Sequence, residues 1–377
     1  MSNSFDSDSF DLAIVGAGVV GLGHAIAARR RGLKTVVIDR DARANGASVR
    51  NFGFVTVTGQ QRGECWRRAM RSRDIWAEVA PQAGIEVVHR GLMVAVRRPE
   101  ALPVLEAFRA TEMGEGCELL TPDQARGRLP ALEGMLSGAL WSPHDMRVES
   151  REAIPKLAAW LAAQGVAFRR ETAVTAIEPG KVVTSGGTIS AARIVAAPGD
   201  DFHTLFEDRF ASYGLTRCKL HMLRVTDPKV GRLPGSVMTD LSLGRYLGYA
   251  ELPEAEPLKR LLEAEQAEHL KHGVHLIVVQ SADGSLVVGD SHHYAATPDP
   301  FAPDFVDELI LDEYAALFGR RPEQVVERWT GTYASASDRL AFIDRPHATI
   351  RLVVVTSGTG ASTGFALAEE AVAELFD

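Results

Sequence analysis

The residues with the plainest chemical meaning in this 377-residue chain lie near its start. Gly16-Ala17-Gly18-Val19-Val20-Gly21 follows the apolar run Asp11-Leu12-Ala13-Ile14-Val15 and precedes an alanine-rich stretch over residues 22–31. A second apolar run, Thr35-Val36-Val37-Ile38, ends in Asp39. Strand, glycine turn, helix, strand, acid is the order that binds a dinucleotide. The first glycine permits the tight turn, the second lets backbone approach a pyrophosphate, and the third lets helix and strand pack closely. The helix start offers free N–H groups and the positive end of its dipole to the phosphates. Asp39, 23 residues after Gly16, stands where an acid holds a ribose hydroxyl, which favours FAD or NAD over NADP. Arg40 beside it would suit a 2′-phosphate.

A second glycine-rich segment lies far away in sequence. The apolar run 351–355 leads into Thr356-Ser357-Gly358-Thr359-Gly360-Ala361-Ser362-Thr363-Gly364. One reading is a plain turn in which Ser362 or Thr363 caps a helix. The other is a helix N-terminus aimed at a second part of the cofactor. A reduced flavin carries negative charge near N1, which such a dipole stabilises; a nicotinamide has no such need. This loop therefore favours FAD.

These loops need elements to hold them. The chain is long enough for two or three domains, and 46% apolar residues supply a full core. A net charge of −8 argues against a nucleic-acid surface. The arginines of residues 62–73 alternate with Trp66 and Met70, as on the wet face of an amphipathic helix. Cys65, Cys117 and Cys218 are scattered, with no metal or disulfide spacing, which fits a cytoplasmic protein. The first ten residues lack the pattern of a secretory signal, and no apolar run approaches the ~20 residues of a membrane span. Helices are expected from after the 44–59 loop to about residue 80 and over residues 99–113, 151–164, 254–271, 304–318 and 363–376, with Thr121 capping a short helix that opens at Pro122. Residues 91–96, 166–168, 173–177, 181–183, 192–197 and 350–355 are expected as strands.

Four segments, in this order, resemble the D-amino-acid oxidase/sarcosine oxidase family of FAD-dependent amine oxidoreductases. They are Gly16–Gly21 with Asp39; Gly46-Ala47-Ser48-Val49-Arg50-Asn51-Phe52-Gly53; Ile194-Val195-Ala196-Ala197-Pro198-Gly199; and the 358–364 loop with Ala334-Ser335-Ala336-Ser337-Asp338 upstream. Three stretches further resemble a branch associated with bacterial aminophosphonate breakdown: Arg50–Gly53 with Thr58-Gly59-Gln60, Gly289-Asp290-Ser291-His292-His293-Tyr294, and 356–365. The resemblance implies an α/β fold with a Rossmann-like FAD-binding domain (1–86, 147–199, 329–377) interleaved with a mixed-sheet substrate domain (87–146, 200–328). It implies a cofactor set of Gly16, Gly18, Val19, Val20, Gly21, Asp39, Arg40, Ser48, Arg50, Asn51, Phe52, Gly53, Val174, Ala197, Gly199, Gly358, Gly360, Ala361, Ser362 and Thr363.

Two departures matter. Some family members tether flavin through a cysteine before the 334–338 segment. Trp329-Thr330-Gly331-Thr332-Tyr333 has none, so noncovalent FAD is expected. The sarcosine branch also carries an oxygen-activating lysine and a carboxylate-gripping lysine. Neither 286–289 nor the neighbourhood of Ser362 has one, which implies that oxygen handling and anion binding are done differently or that oxygen is not the acceptor; the acceptor, O2 or another, is left open.

Oxidation of an amine by hydride transfer to flavin N5 needs a neutral nitrogen, a positioned α-carbon and a grip on any anion. Arg50, Arg224, Arg245 and Arg339 are candidate forks for a carboxylate or phosphonate, Arg339 being equally readable as a surface ion pair. Tyr246 and Tyr249, expected in a strand, and Gln60 are candidate substrate contacts. His292 and His293 would point to opposite faces of a strand, so one of them faces the site. His221 falls where family members carry a polar residue over the flavin. No carboxylate cluster is apparent beside the histidines, so no metal is expected. The substrate implied is a small anionic amine, 2-aminoethylphosphonate or its N-methyl form, oxidised to phosphonoacetaldehyde with release of ammonia or methylamine. A sarcosine or D-amino-acid oxidase or dehydrogenase, an electron-transfer flavoprotein and a tRNA-modifying one are the alternatives. No nucleic-acid or membrane partner is expected, and a monomer or homodimer is open.

Overall fold

The computed structural model describes residues 9–377, so most of the segment read for a secretory signal lies outside it. Two sheets organise the chain. In the first, Ile350–Val355, Gly187–Ala196, Phe10–Val15, Thr35–Ile38 and Ala167–Arg169 run parallel, and Ala341–His347 adds an antiparallel edge. Ile14 sits between Val37 and Val195 in register. Apolar residues on both faces of these strands match a parallel sheet covered on both sides. Leu12 and Ile14 meet the helix Val19–Arg30, whereas Ala13 and Val36 face a second cluster with Phe202 and Phe210.

Helices cover this sheet, Ser150–Ala163 among them. Val19–Arg30 packs against Gly360–Phe376, closely enough that a Cβ on Gly23 would lie 2.9 Å from the Phe365 ring. On Glu64–Gln82, Trp76 stacks on Phe365 at 4.6 Å, and its indole N–H donates to the Ala361 carbonyl at 2.9 Å. The C-terminal helix begins at Gly360 with Thr359 as N-cap. Ser362 and Thr363 are therefore first-turn residues, not caps.

The second sheet has ten strands. Thr216–Thr226 carries Gln324–Ser335 on one edge; Leu286–Gly289 and then His293–Ala295 lie along the other. Ile277–Gln280, Ser236–Thr239, Val87–Val96 and Gly138–Val148 continue the sheet to Phe54–Val55. Strands 54–55 and 324–335 thus join this sheet across the division expected from the sequence. A bridge between Ser335 and Ser357 ties the two halves beside the second glycine loop.

Local expectations fared unevenly. Thr121 caps Pro122–Arg128 in a reciprocal box with Gln124. Asp304–Phe318 is one helix, as expected. Residues 245–249 are not a strand: they follow Asp240–Leu243 and enter the short helix Leu247–Ala250. The charged helix breaks at Gln266 into Ala255–Glu265 and Ala267–Lys271.

Candidate active site

A cavity of about 450 Å³ lies where the two sheets meet. One end is built from the first half. Gly18, Val19, Val20 and Gly21, Ser48, Ala197 and Gly199, and the loop through Gly358, Gly360, Ala361 and Ser362 line it. The starts of the helices Val19–Arg30 and Gly360–Phe376 therefore open on one space, and in neither does the N-cap residue's own side chain bond a helix N–H. Their first N–H groups and dipoles are directed at it.

Gly16, Gly18 and Gly21 leave no room for a side chain. A Cβ on Gly21 would lie 1.9 Å from the Gly16 carbonyl oxygen, one on Gly16 2.4 Å from that of Ala197, and one on Gly18 2.9 Å from Ser48 Oγ. Ser48 Oγ also accepts the Val19 N–H at 2.9 Å. A backbone cradle closed to Cβ atoms and supplied by two helix starts fits a dinucleotide carrying a flavin. Arg50, Asn51 and Phe52 extend the wall, with Asn51 clamped by its amide to the Ala47 carbonyl. The buried Ser362 Oγ accepts the Thr56 N–H and so fixes the second glycine loop to the segment leading to Gln60.

Other expected cofactor residues lie outside the cavity wall. Asp39 accepts the Ala17 N–H at 2.6 Å and the Asp41 N–H at 2.9 Å, bracing the glycine turn. Arg40 points to solvent and pairs with Asp201. Gly53 adopts a positive φ and packs against the Val148 carbonyl. Val174 is buried in the core under the hairpin 174–184. Thr363 bonds back to the Thr359 carbonyl.

The other end of the cavity is polar. Arg245, Tyr246, His275, Asp290, His292, Tyr294 and Tyr333 line it with Gln60 and Leu220. Arg245 follows the turn after Asp240–Leu243, and its guanidinium donates to the Tyr294 hydroxyl at 2.9 Å. Burial opposes its charge, but Tyr294, Tyr333 and Asp290 outweigh that and hold it firmly protonated. Burial pushes the Tyr246 and Tyr333 hydroxyls far above the usual phenol range, so both stay neutral.

Three buried groups stand together here: His275 (3% exposed), Asp290 (5%) and His292 (8%). His275 Nε2 is 3.1 Å from Asp290 Oδ1, and His292 Nε2 is 3.6 Å from Oδ2. Burial would raise the Asp290 carboxyl, yet His292, His275 and Arg245 hold it below the ordinary range. Burial, then Arg245, keeps His292 well below the usual imidazole range. The expectation that no carboxylate stands by these histidines is corrected: the hairpin that brings residue 275 beside residue 290 supplies one.

Several expected substrate contacts are elsewhere. His221 and Leu220 alternate across their strand; Leu220 faces the cavity, and His221 turns to the other face, where Nδ1 meets Asp307 at 3.0 Å. His293 lies on that face too, its ring 5.6 Å from His221 and 5.4 Å from His272. Of the adjacent pair, His292 alone reaches the cavity. Tyr249 is buried against Phe108 at 4.5 Å and under Gly59. Arg339 pairs with Asp338 and lies over Tyr213, on the surface. Arg224 is engaged by Ser281, Ser285 and Glu327. Of the four arginines, Arg50 and Arg245 line the cavity. His275 and Tyr333 carry no signal in the sequence: one stands alone just before the strand Ile277–Gln280, the other alone within Gln324–Ser335.

A dinucleotide cradle joined to a mixed sheet, with a polar cavity between, defines a flavin-dependent oxidoreductase. The chain belongs to the FAD dependent oxidoreductase family, whose model matches residues 11–375. FAD is thus its cofactor. Glycine oxidase of Geobacillus kaustophilus is 28% identical over 207 residues, 50% of this chain and 54% of that protein. Its crystal structure superposes with a TM-score of 0.75 at 20% identity, covering 97% of this chain and 94% of that one. Glycine oxidase from Bacillus cereus gives 0.78 at 18%, covering 97% of each. A component of the anaerobic glycerol-3-phosphate dehydrogenase of Escherichia coli is 30% identical over 142 residues, 37% of this chain; the match spans about a quarter (26%) of that protein's length.

Proposed function

We propose that this chain oxidises the carbon–nitrogen bond of a small anionic amine, with 2-aminoethylphosphonate or its N-methyl derivative as the first substrate to test. The observation that carries the reading is Arg245, a charged fork held by Tyr294 in the cavity that the cofactor cradle opens into. Similar proteins support it by their names. Glycine oxidase and L-proline dehydrogenase act on carboxylate-bearing amines, and glycerol-3-phosphate dehydrogenase on a phosphate ester.

Bound FAD supplies the acceptor for the two electrons and hydrogen leaving the substrate carbon. Gly18, the Val19 and Gly360 helix starts and Ser48 would hold it. Arg245 binds the anionic end and so fixes the distance of the reacting carbon from the cofactor end of the cavity. Neutral Tyr246 and Tyr333 offer hydrogen bonds without adding charge. The amine nitrogen would lie towards the Gln60 and Tyr246 side of the same polar end. The resulting imine hydrolyses to an aldehyde and ammonia, or methylamine from the N-methyl substrate.

Noncovalent attachment, reoxidation by O2 or another acceptor, and a cytoplasmic setting belong to the same proposal. Among the described residues no helix is long and apolar enough to cross a membrane. Anaerobic addition of 2-aminoethylphosphonate, its N-methyl form, glycine, sarcosine and D-alanine to the yellow protein tests it. Bleaching by the phosphonates alone supports the reading. Bleaching by an amino acid alone replaces the substrate with that of a glycine or sarcosine oxidase, and bleaching by none rejects amine oxidation.

A further inference from the structure

We propose that His275, Asp290 and His292 form a binding site for a divalent first-row metal ion, of the zinc or manganese class, in the wall of the substrate cavity.

The geometry carries this. One ligand atom from each residue lies within 4.8 Å of the others. Metal–nitrogen and metal–oxygen bonds of about 2.0–2.2 Å place neighbouring ligands roughly 3.0–3.5 Å apart in octahedral or tetrahedral arrangements. Here His275 Nε2 is 3.1 Å from one Asp290 oxygen and His292 Nε2 3.6 Å from the other, so the carboxylate stands between the two imidazoles. Small side-chain rotations close the set around one ion.

The partners behind the ligands point the same way. His292 Nδ1 lies 2.9 Å from the Gly273 carbonyl. A carbonyl only accepts, so Nδ1 carries a proton and Nε2 is the ring atom turned towards Asp290. His275 Nδ1 has Ser242 Oγ at 3.1 Å, which holds the ring with its Nε2 beside Asp290. Imidazoles oriented through their second nitrogen are the usual support of a metal ligand. Asp290 Oδ1 has no hydrogen bond of acceptable geometry although it is buried.

The backbone is fixed as well. His275 N donates to the Asp290 carbonyl at 3.2 Å, Asp290 N to the His275 carbonyl at 3.0 Å, and His292 N to that of His272 at 2.9 Å. All three residues line the cavity. Three protein ligands leave positions open on that side, as in sites where a metal takes a water or a substrate oxygen. Arg245 lines the same end and repels a cation. An anion bridging guanidinium and metal relieves that repulsion, so ion and anion bind cooperatively, and each raises the affinity of the other by one factor. That the anion is the substrate's phosphonate or carboxylate rests on the proposed function; the metal site does not.

The test uses tag-free holoprotein, stripped with chelator and equilibrated with Mn2+ or Zn2+. Bound metal is measured by elemental analysis after gel filtration, and Mn2+ also by loss of its free electron-paramagnetic signal. The expected result is about one ion per chain, with affinity reduced at least about tenfold in His292→Ala and in Asp290→Asn. Inorganic phosphate should tighten Mn2+ binding in the wild type but not in Arg245→Met. His203→Ala, on the surface, should bind as wild type does. If Asp290→Asn loses its flavin or its fold, His275→Gln replaces it. No stoichiometric ion in the wild type at millimolar Mn2+ and Zn2+, or an ion that persists in folded variants, overturns the site. Failure of every amine to bleach the flavin, with metal still bound, would reject the proposed function and leave the site standing.

Discussion

The Arg245 guanidinium donates to the Tyr294 hydroxyl at 2.9 Å, so a residue from a helical turn and one from an edge strand hold one fork in the cavity. Loss of a charge-assisted bidentate contact is worth about 3 kcal/mol, or on the order of 100-fold. Arg245→Met is expected to raise KM for the bleaching amine by that factor. Arg245→Lys keeps the charge without the planar fork and should recover part of it. Tyr294→Phe frees the guanidinium without removing it and should cost about tenfold or less. Stopped-flow reduction against amine concentration separates the three. An unchanged KM in Arg245→Met would move the anion to Arg50.

The contrast between the two ends of this cavity explains what the sequence disclosed. Gly16, Gly18, Gly21 and Asp39 act through spacing along one continuous stretch, so their purpose is visible without a fold. The polar end depends on pairing. His275 meets Asp290 only because Ile277–Gln280 and Leu286–Gly289 form a hairpin. His292 and His293 differ only in which face they take. Tyr246 and Tyr249 read as strand residues, yet Tyr246 precedes the short helix Leu247–Ala250 and lines the cavity, while Tyr249 lies within it, buried under Gly59. His221 reads as a cavity residue until the strand's alternation is known, which gives that side to its neighbour Leu220.

Glycine spacing makes a graded prediction. A methyl on Gly21 would meet the fixed Gly16 carbonyl at 1.9 Å, and one on Gly18 the movable Ser48 hydroxyl at 2.9 Å. Gly21→Ala must push the helix Val19–Arg30 off its strand and should yield little soluble, flavin-free protein. Gly18→Ala should fold and bind FAD more weakly, since Ser48 can swing away at the loss of its bond from Val19. The visible-to-ultraviolet absorbance ratio of each purified variant measures this. Full FAD in Gly21→Ala would refute the close packing.

Flavin attachment can be checked on the wild type. The strand Gln324–Ser335 offers no cysteine. Its cross-strand neighbour Cys218 is buried, and burial pushes its thiol up to about 11, so it is a poor nucleophile at neutral pH. Acid precipitation should leave a colourless pellet and a yellow supernatant. Colour retained in the pellet would show a covalent bond, and peptide mapping would then locate it.

Acid should unfold this protein through a histidine far from the reaction. His24 is fully buried in the helix Val19–Arg30; its Nδ1 meets the Val20 carbonyl at 2.8 Å and its Nε2 has no partner. Burial lowers its pKa from 6.5 to about 4. Between those values the unfolded chain binds a proton that the folded chain refuses. Stability therefore falls as pH drops through 6.5 and is lost progressively down to about 4, by roughly 3 kcal/mol for this one group. His89, lowered to about 3 by burial and Arg147, adds to the same slope. His24→Leu keeps most of the volume and removes the titration. Urea unfolding followed by tryptophan fluorescence from pH 7 to 4.5 should show a shallower decline in the variant than in the wild type. Parallel declines would mean that His24 is charged or solvated in the folded protein.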